Sequence, residues 1–259
     1  MGVINVTPDS FSDTVHTVSP EEALSQAEKH MAEGADILDI GGCSTRPDGE
    51  PADEAEERRR VMPALAAIRE HMPKAVLSVD TFRASIAEEG VTRYGVDIIN
   101  DISGGEWDSD MFRVVAATKA TYVLSHMPQP LEKRCTPCQT QDIMSGMLAF
   151  FESKLAVLQQ FGAGKIWLDP GFGFAKSVEQ NYEVLRRLDE LGTKGLPILA
   201  GLSRKSMIYK PLGISPQQAL NGTTALNMTA LMKGASVLRV HDVREARQVV
   251  SLYLKTFGN

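Results

Sequence analysis

Short apolar runs alternate along the whole chain with longer stretches of helical periodicity. The runs are 3–5, 37–40, 76–80, 97–100, 122–125, 166–169, 198–202 and 237–241. Each is brief and almost continuously apolar, the pattern of a parallel strand buried on both faces. Helix signals fill the intervals. Ser19-Pro20-Glu21-Glu22 reads as a capping box with proline at the first helical position, and 177–180 and 215–218 repeat the arrangement. Met144, Met147, Leu148, Phe151, Leu155 and Leu158 recur at helical spacing and predict one core-facing stripe. Gly34, Gly95, Gly162 and Gly234 each stand where a helix gives way to a strand, the place of a left-handed C-cap. No linker or charge block divides the chain. Eight strand–helix units therefore predict one α/β domain over residues 1–259, a (β/α)8 TIM barrel. An open doubly wound sheet is the alternative, but the Gly-x-Gly-x-x-Gly expected after its first strand is absent.

Barrels of this kind gather their chemistry at the C-terminal ends of the strands. There the sequence places Asn5, Asp39, Asp80, Asn100 with Asp101, His126, Asp169, residues 203–206, and Arg239 with His241. One polar strand end is ordinary. A polar residue at every one implies buried charges in need of partners. Asp80, Asn100 and Asp169 suit a flat, nitrogen-rich heterocycle. Arg204, Lys205, Arg239 and His241 suit a phosphate-type anion. Alternation along 239–241 puts Arg239 and His241 on one face, and the helix starting near Asp242 adds its N-terminal amides. The two sets together predict a heterocycle carrying a phosphate or pyrophosphate.

The segments 7–13 and 41–49 are long for strand-to-helix connections, and Phe11 and Arg46 within them suggest closing loops. Cys135-Thr136-Pro137-Cys138 lacks the strand–helix context of a redox pair and the second pair that zinc would need, so it reads as two thiols in a loop. His126, at a strand end, fits either core or pocket wall. His16, His30 and His71 read as solvated, and 53–60 as a solvated helix face.

Composition narrows the partners. The length of 259 residues is that of a single barrel. The net charge of −6, with no basic stretch, excludes nucleic acid and anionic membrane as expected partners but not an anionic substrate in a local cationic pocket. Three cysteines in a chain this long point to a reducing compartment. With no apolar run near the roughly 18 residues of a membrane span, and no signal pattern at the start, a cytoplasmic location is expected.

The segments Met1 to Asp13, 39–42, 44–47, 78–81, 100–102, 126–127, 169–174, 202–206 and 239–243 jointly resemble the dihydropteroate synthases, the folate-pathway transferases that sulfonamides inhibit. Single pieces such as Ser-Arg-Lys-Ser are weak; in order across the chain they are specific. The resemblance implies condensation of 6-hydroxymethyl-7,8-dihydropterin pyrophosphate with 4-aminobenzoate, giving 7,8-dihydropteroate and pyrophosphate. By carry-over, Asp80, Asn100, Asp169 and Lys205 hold the pterin. Asn5, Arg239 and His241 hold pyrophosphate, and Asn5 also reaches Mg²⁺. Phe11, Thr45, Arg46, Pro47, Phe174 and Ser206 form the 4-aminobenzoate side, and Asp9 belongs to the closing first loop. Lys205, Arg239, His241 and Asp9 are the residues expected to act in catalysis. The chain departs from the family pattern at Thr14-Val15, Cys43, Asp48, Ala175 and Pro128-Gln129-Pro130, which bears on loop behaviour and drug response. A methyltetrahydrofolate corrinoid methyltransferase and a catalytically silent pterin-binding paralogue are the competing readings. The resemblance also implies a homodimer. The helix around 222–232 supports it, with Ala225, Met228, Leu231 and Met232 expected to face the barrel and Thr224, Leu226 and Ala230 left over, and the apolar helix through 249–254 adds to it.

Overall fold

The computed structural model describes residues 1–7, 18–44, 51–140 and 142–258. Its parallel strands are β1 (Gly2–Asn5), β2 (Leu38–Gly41), β3 (Leu77–Asp80), β4 (Ile98–Asp101), β5 (Thr121–Ser125), β6 (Ile166–Asp169), β7 (Leu199–Ala200) and β8 (Val237–Leu238). The helices between and after them are α1 (Pro20–Ala32), α2 (Glu54–His71), α3 (Ala84–Tyr94), α4 (Met111–Thr118), α5 (Ile143–Gln160), α6 (Val178–Arg186), α7 (Ser206–Leu212), α8 (Leu220–Met232) and α9 (Val243–Phe257). Strands β1 to β6 form one ladder in chain order and β7 pairs with β8. Parallel bridges Leu168↔Ile198 and Gly2↔Val240 join the two pieces into a ring. Val3 N donates to Val240 O at 3.0 Å and Leu168 N to Pro197 O at 2.9 Å across the two seams. The closed ring is the predicted (β/α)8 barrel and rules out the open sheet.

β7 and β8 are shorter than the expected 198–202 and 237–241. Beyond the paired residues Arg239 N still bonds Ala200 O at 3.0 Å and Val240 N turns to Met1 O at 2.9 Å; after that the polar groups go to loop and side-chain partners, Lys205 N to Leu202 O at 3.2 Å and His241 N to Ser203 Oγ at 3.3 Å. The capping boxes at Ser19 and Ser177 start α1 and α6, whereas the one at Ser215 caps only the 3-10 turn Pro216–Gln218. All four junction glycines have positive φ: Gly34 95°, Gly95 63°, Gly162 72° and Gly234 94°. Met144, Met147, Phe151 and Leu158 of α5 are buried in the core, with Leu148 and Leu155 packed against it.

Three surface expectations are corrected. His30 is only 7% exposed, and its Nε2 lies 3.0 Å from Val3 O, on the barrel side of α1. Glu57, within the stretch expected to be solvated, is fully buried and ion-paired to Arg83, which lies just before α3. On α8 the barrel-facing line is Thr223, Asn227, Ala230 and Leu231; Ala225 and Met232 face outward. The helical repeat explains the last shift, since 223, 227 and 230 or 231 share one side of a turn. His71 is exposed as expected.

Candidate active site

The ladder places the mouth residues by register. Gly41 pairs with Asp80 and Asp80 with Asn100, so the ends of β2, β3 and β4 come level. Asp39, one layer deeper and fully buried, is the hub of this side. It accepts from Ser78 Oγ at 2.5 Å, from Asn100 Nδ2 at 3.2 Å and from Arg239 Nε at 2.7 Å. The other end of the Arg239 guanidinium donates to Asp80 Oδ2 at 2.5 Å. One arginine from the β8 side thus bridges two strand-end carboxylates, an arrangement stabilised by charge-assisted hydrogen bonds. Asn100 is 1% exposed, and its Oδ1 has no hydrogen-bond partner among the described residues. A buried acceptor left open is rare and suits a donor brought by a ligand.

The opposite side is built from loops. Asp169 ends β6, 8% exposed, and accepts from Gly171 N at 2.7 Å. Lys205 immediately precedes α7; its Nζ donates to Phe172 O and lies 4.2 Å from the centroid of the Phe174 ring. Gly173 (φ 81°) crosses so close to Lys205 that a Cβ there would stand 2.8 Å from Lys205 Cδ. Ser206 is half-buried as the first residue of α7. The seam closed by Gly2↔Val240 carries Asn5 on one side and Arg239 with His241 on the other. His241 Nδ1 is 3.0 Å from Ser203 Oγ.

Burial dominates the electrostatics. It raises Asp80, with Asp39 adding like charge and Arg239 opposing, and it raises Asp169 against the pull of Lys205. Burial brings Lys205 down to about 8, opposed by Asp169. Arg239, which burial disfavours, is driven upward instead by Asp39 and Asp80. The mouth thus holds acids on both sides, Asp80 with the bridging Arg239 and Asp169 with Lys205, which suits a nitrogen heterocycle joined to an anion.

The structure brings together Asp80, Asn100 and Arg239 through Asp39, and Lys205 with Phe174. Arg204 does not join the cationic set. Its guanidinium is held by Asp242 at 2.8 and 2.9 Å, so its charge is already matched. Asp101 is structural, accepting from Ser103, Gly105 and Tyr122. His126 is 2% exposed against the Phe150 and Phe151 rings, and burial lowers it to about 2, which makes it core. Asp9, Phe11, Thr45, Arg46 and Pro47, with His16, lie outside the described residues. Cys43, Cys135 and Cys138 are free thiols, Cys135 exposed.

Sequence reasoning left three residues unassigned. Asp39 was visible as a strand-end acid, and its pairing with Arg239 shows only in three dimensions. Lys176 (6% exposed) and Asn181 (1% exposed) follow the 169–174 motif and are wired into its loop. A lysine directly after a glycine-rich loop was a usable signal; nothing in the sequence marked an asparagine inside α6.

Among the described residues no three His, Cys, Asp or Glu side chains group as a metal site. Asn5, half-buried at the end of β1, offers one oxygen ligand. A hard divalent cation held by one protein oxygen, with the rest from a diphosphate and water, fits that donor.

The pattern described as pterin binding enzyme matches residues 1–241. The dihydropteroate synthase of Streptococcus pyogenes serotype M3 is 38% identical, covering 97% of this chain and 93% of that protein. That of Haemophilus influenzae is also 38% identical, covering 99% and 93%. The solved dihydropteroate synthase from Clostridium difficile, in the presence of pteroic acid, superposes with a TM-score of 0.93 at 38% identity, covering 100% of this chain and 96% of that one. A Yersinia pestis dihydropteroate synthase in complex with a sulfonamide drug gives a TM-score of 0.93 at 36% identity, covering 100% and 94%. The chain belongs to the pterin binding enzymes and, among them, to the dihydropteroate synthase family.

Proposed function

We propose that the chain condenses 6-hydroxymethyl-7,8-dihydropterin pyrophosphate with 4-aminobenzoate, releasing 7,8-dihydropteroate and pyrophosphate. The observation that carries this is the meeting at one barrel mouth of the acceptors Asp80, Asp169 and the unpartnered Asn100 Oδ1 with the cations Lys205 and Arg239. The acceptors take the N–H groups of the pterin ring, and Lys205 takes a ring acceptor. Arg239 and His241, with the first amides of α9, take the leaving pyrophosphate. Mg²⁺, when bound through Asn5 and the diphosphate, supplies further charge for the leaving group.

The bond from the pterin methylene to the pyrophosphate oxygen breaks, and its electron pair leaves with the anion. The methylene carbon left behind is cationic and stabilised by the ring. The amine nitrogen of 4-aminobenzoate then forms the new bond and gives up a proton. So weak a nucleophile succeeds only where water is kept away, the role assigned to the loops bearing Asp9, Phe11, Thr45, Arg46 and Pro47. Phe174 and Ser206 complete the 4-aminobenzoate wall.

The test is pyrophosphate release when the two substrates are mixed with Mg²⁺. A corrinoid methyltransferase would release none, and a silent paralogue would bind pterin without turnover. We place the protein in the cytoplasm, which agrees with three free thiols and with the absence, among the described residues, of any helix long and apolar enough to cross a membrane. We also propose a homodimer through α8 and α9. Met232, Leu252, Leu254 and Phe257 are each more than half exposed there. Light scattering should give twice the mass of one chain.

A further inference from the structure

We propose that Lys176 is a positioning residue: its ammonium ties the loop after β6 to the barrel and so sets where Lys205 and Phe174 stand for the incoming 4-aminobenzoate. The inference rests on the function proposed above. Lys176 Nζ donates to His126 O at 3.2 Å, Gly171 O at 3.0 Å and Phe174 O at 3.1 Å. An ammonium has three N–H bonds, and all three are used, so none is left for substrate. The acceptors come from two loops, those after β5 and β6, which the lysine clips together. Asn181 works on the same loop from α6, accepting from Gly173 N at 2.7 Å and donating to Ser177 O at 2.7 Å. Between them they fix the backbone at 171, 173 and 174.

That backbone holds Lys205. The Phe172 carbonyl accepts from its Nζ, the Phe174 ring lies beside it, and Gly173 lies over its side chain. A shift of the loop therefore moves the cation and the aromatic wall together. The charged and titratable groups facing Lys176 are Asp169 from β6, His126 after β5, Cys138 from the segment before α5 and Lys205 before α7. Burial pulls the ammonium down to about 7 and Asp169 opposes it. Three carbonyl dipoles converging on one nitrogen match the charged form.

The test uses Lys176→Met and Lys176→Gln, with both substrates varied. Misplacing a contact by a fraction of an ångström should raise KM for 4-aminobenzoate about tenfold while kcat changes less than roughly threefold. Calorimetric affinity for the pterin pyrophosphate should fall less than that for 4-aminobenzoate, since Lys205 is shared but Asp80 and Asn100 on the β3 and β4 side are untouched. An unchanged 4-aminobenzoate KM in a folded variant overturns the proposal, as does an equal loss of kcat and of both affinities. Hydrogen exchange on the unaltered protein covers the case in which neither variant folds. The 171–177 amides should exchange about as slowly as those of β6, and exchange at free-loop rates overturns the proposal. If the unaltered protein makes no dihydropteroate, the proposed function fails, while comparing loop exchange in the unaltered protein with that in a folded Lys176 variant still decides whether Lys176 pins the loop.

Discussion

The two sides of the barrel mouth hold their chemistry by different means. On the β2–β4 side, Asp39, Asp80 and Asn100 sit in four-residue strands whose register alone brings Asp80 and Asn100 level and sets Asp39 one layer beneath them. On the β6–β8 side, β7 and β8 pair over two residues each, and Lys205, Phe174 and His241 lie beyond the ladder. There Lys205 is placed by a loop carbonyl, and the loop by a buried lysine and asparagine. Register is backbone geometry and survives most side-chain changes. A loop pinned by side chains depends on each of them, and that dependence makes its position adjustable.

The largest effect is expected where the first side concentrates its charge. Removing one partner of a buried pair leaves the other uncompensated, so Asp39→Ala should cost about 3–5 kcal/mol of stability in urea denaturation. Asp39→Asn, which keeps the shape, should cost less. If both variants lose under about 1 kcal/mol, within the effect of ordinary substitutions, Asp39 is not the hub of that side.

Next come the two pterin carboxylates, one from each side. Asp80→Ala and Asp169→Ala should each weaken pterin binding by about 1.5–3 kcal/mol, the cost of a lost charged hydrogen bond. They should differ in stability. Asp169 also holds Gly171 N at 2.7 Å, so its loss should loosen the 171–174 loop, whereas the backbone around Asp80 is kept by the ladder. Calorimetry gives the first comparison and thermal unfolding the second. Equal unfolding temperatures would erase the distinction between the two sides.

The same distinction explains what the sequence made legible. Six strand ends read to within one residue because burial on both faces writes a continuous apolar run, and closing eight such units leaves their polar ends at one mouth. The last two strands were drawn too long: Arg239 N still bonds Ala200 O and Val240 pairs with β1, but the paired stretch of β7 and β8 is two residues, and His241 N turns to Ser203 Oγ. Arg204 looked like an anion ligand because its partner Asp242 is 38 residues away in sequence. His30 and Glu57 looked solvated because single polar residues on amphipathic helices usually are, and only the fold supplies the Val3 carbonyl beside His30 and the Arg83 guanidinium that donates to Glu57. Lys176 and Asn181 were missed because their partners are backbone atoms, which leave no compositional trace.

A smaller effect separates the sides by pH. Lys205, lowered to about 8 by burial, is charged below that pH and neutral above it, so kcat/KM should fall as pH rises through about 8. Lys205→Arg keeps its charge throughout and should move that limb to higher pH. A limb near 7 that survives this substitution points to Lys176 instead. Stability runs the other way. Both lysines titrate below their ordinary value, so the unfolded chain binds more protons above pH 7–8, and stability from these groups rises with pH towards that ordinary value.

The smallest effect concerns the thiols at the outer edge of the loop side. Arg134 O accepts from Ala175 N at 2.8 Å and Ala175 O from Cys138 N at 2.9 Å, so the turn carrying both cysteines grips the 171–176 loop through its backbone. These contacts use no sulfur. Cys135 is exposed and Cys138 half-buried against the core. Exposed positions without special contacts usually change stability by less than about 0.5 kcal/mol, so Cys135→Ser should leave unfolding temperature and kcat unaltered. Cys138→Ser should cost a little more, through lost packing. If Cys135→Ser changes KM for 4-aminobenzoate, or if oxidised glutathione changes it in the unaltered protein and not in the variant, then the sulfur takes part in setting the loop. The loop side would then answer to a chemical input that the ladder side cannot receive.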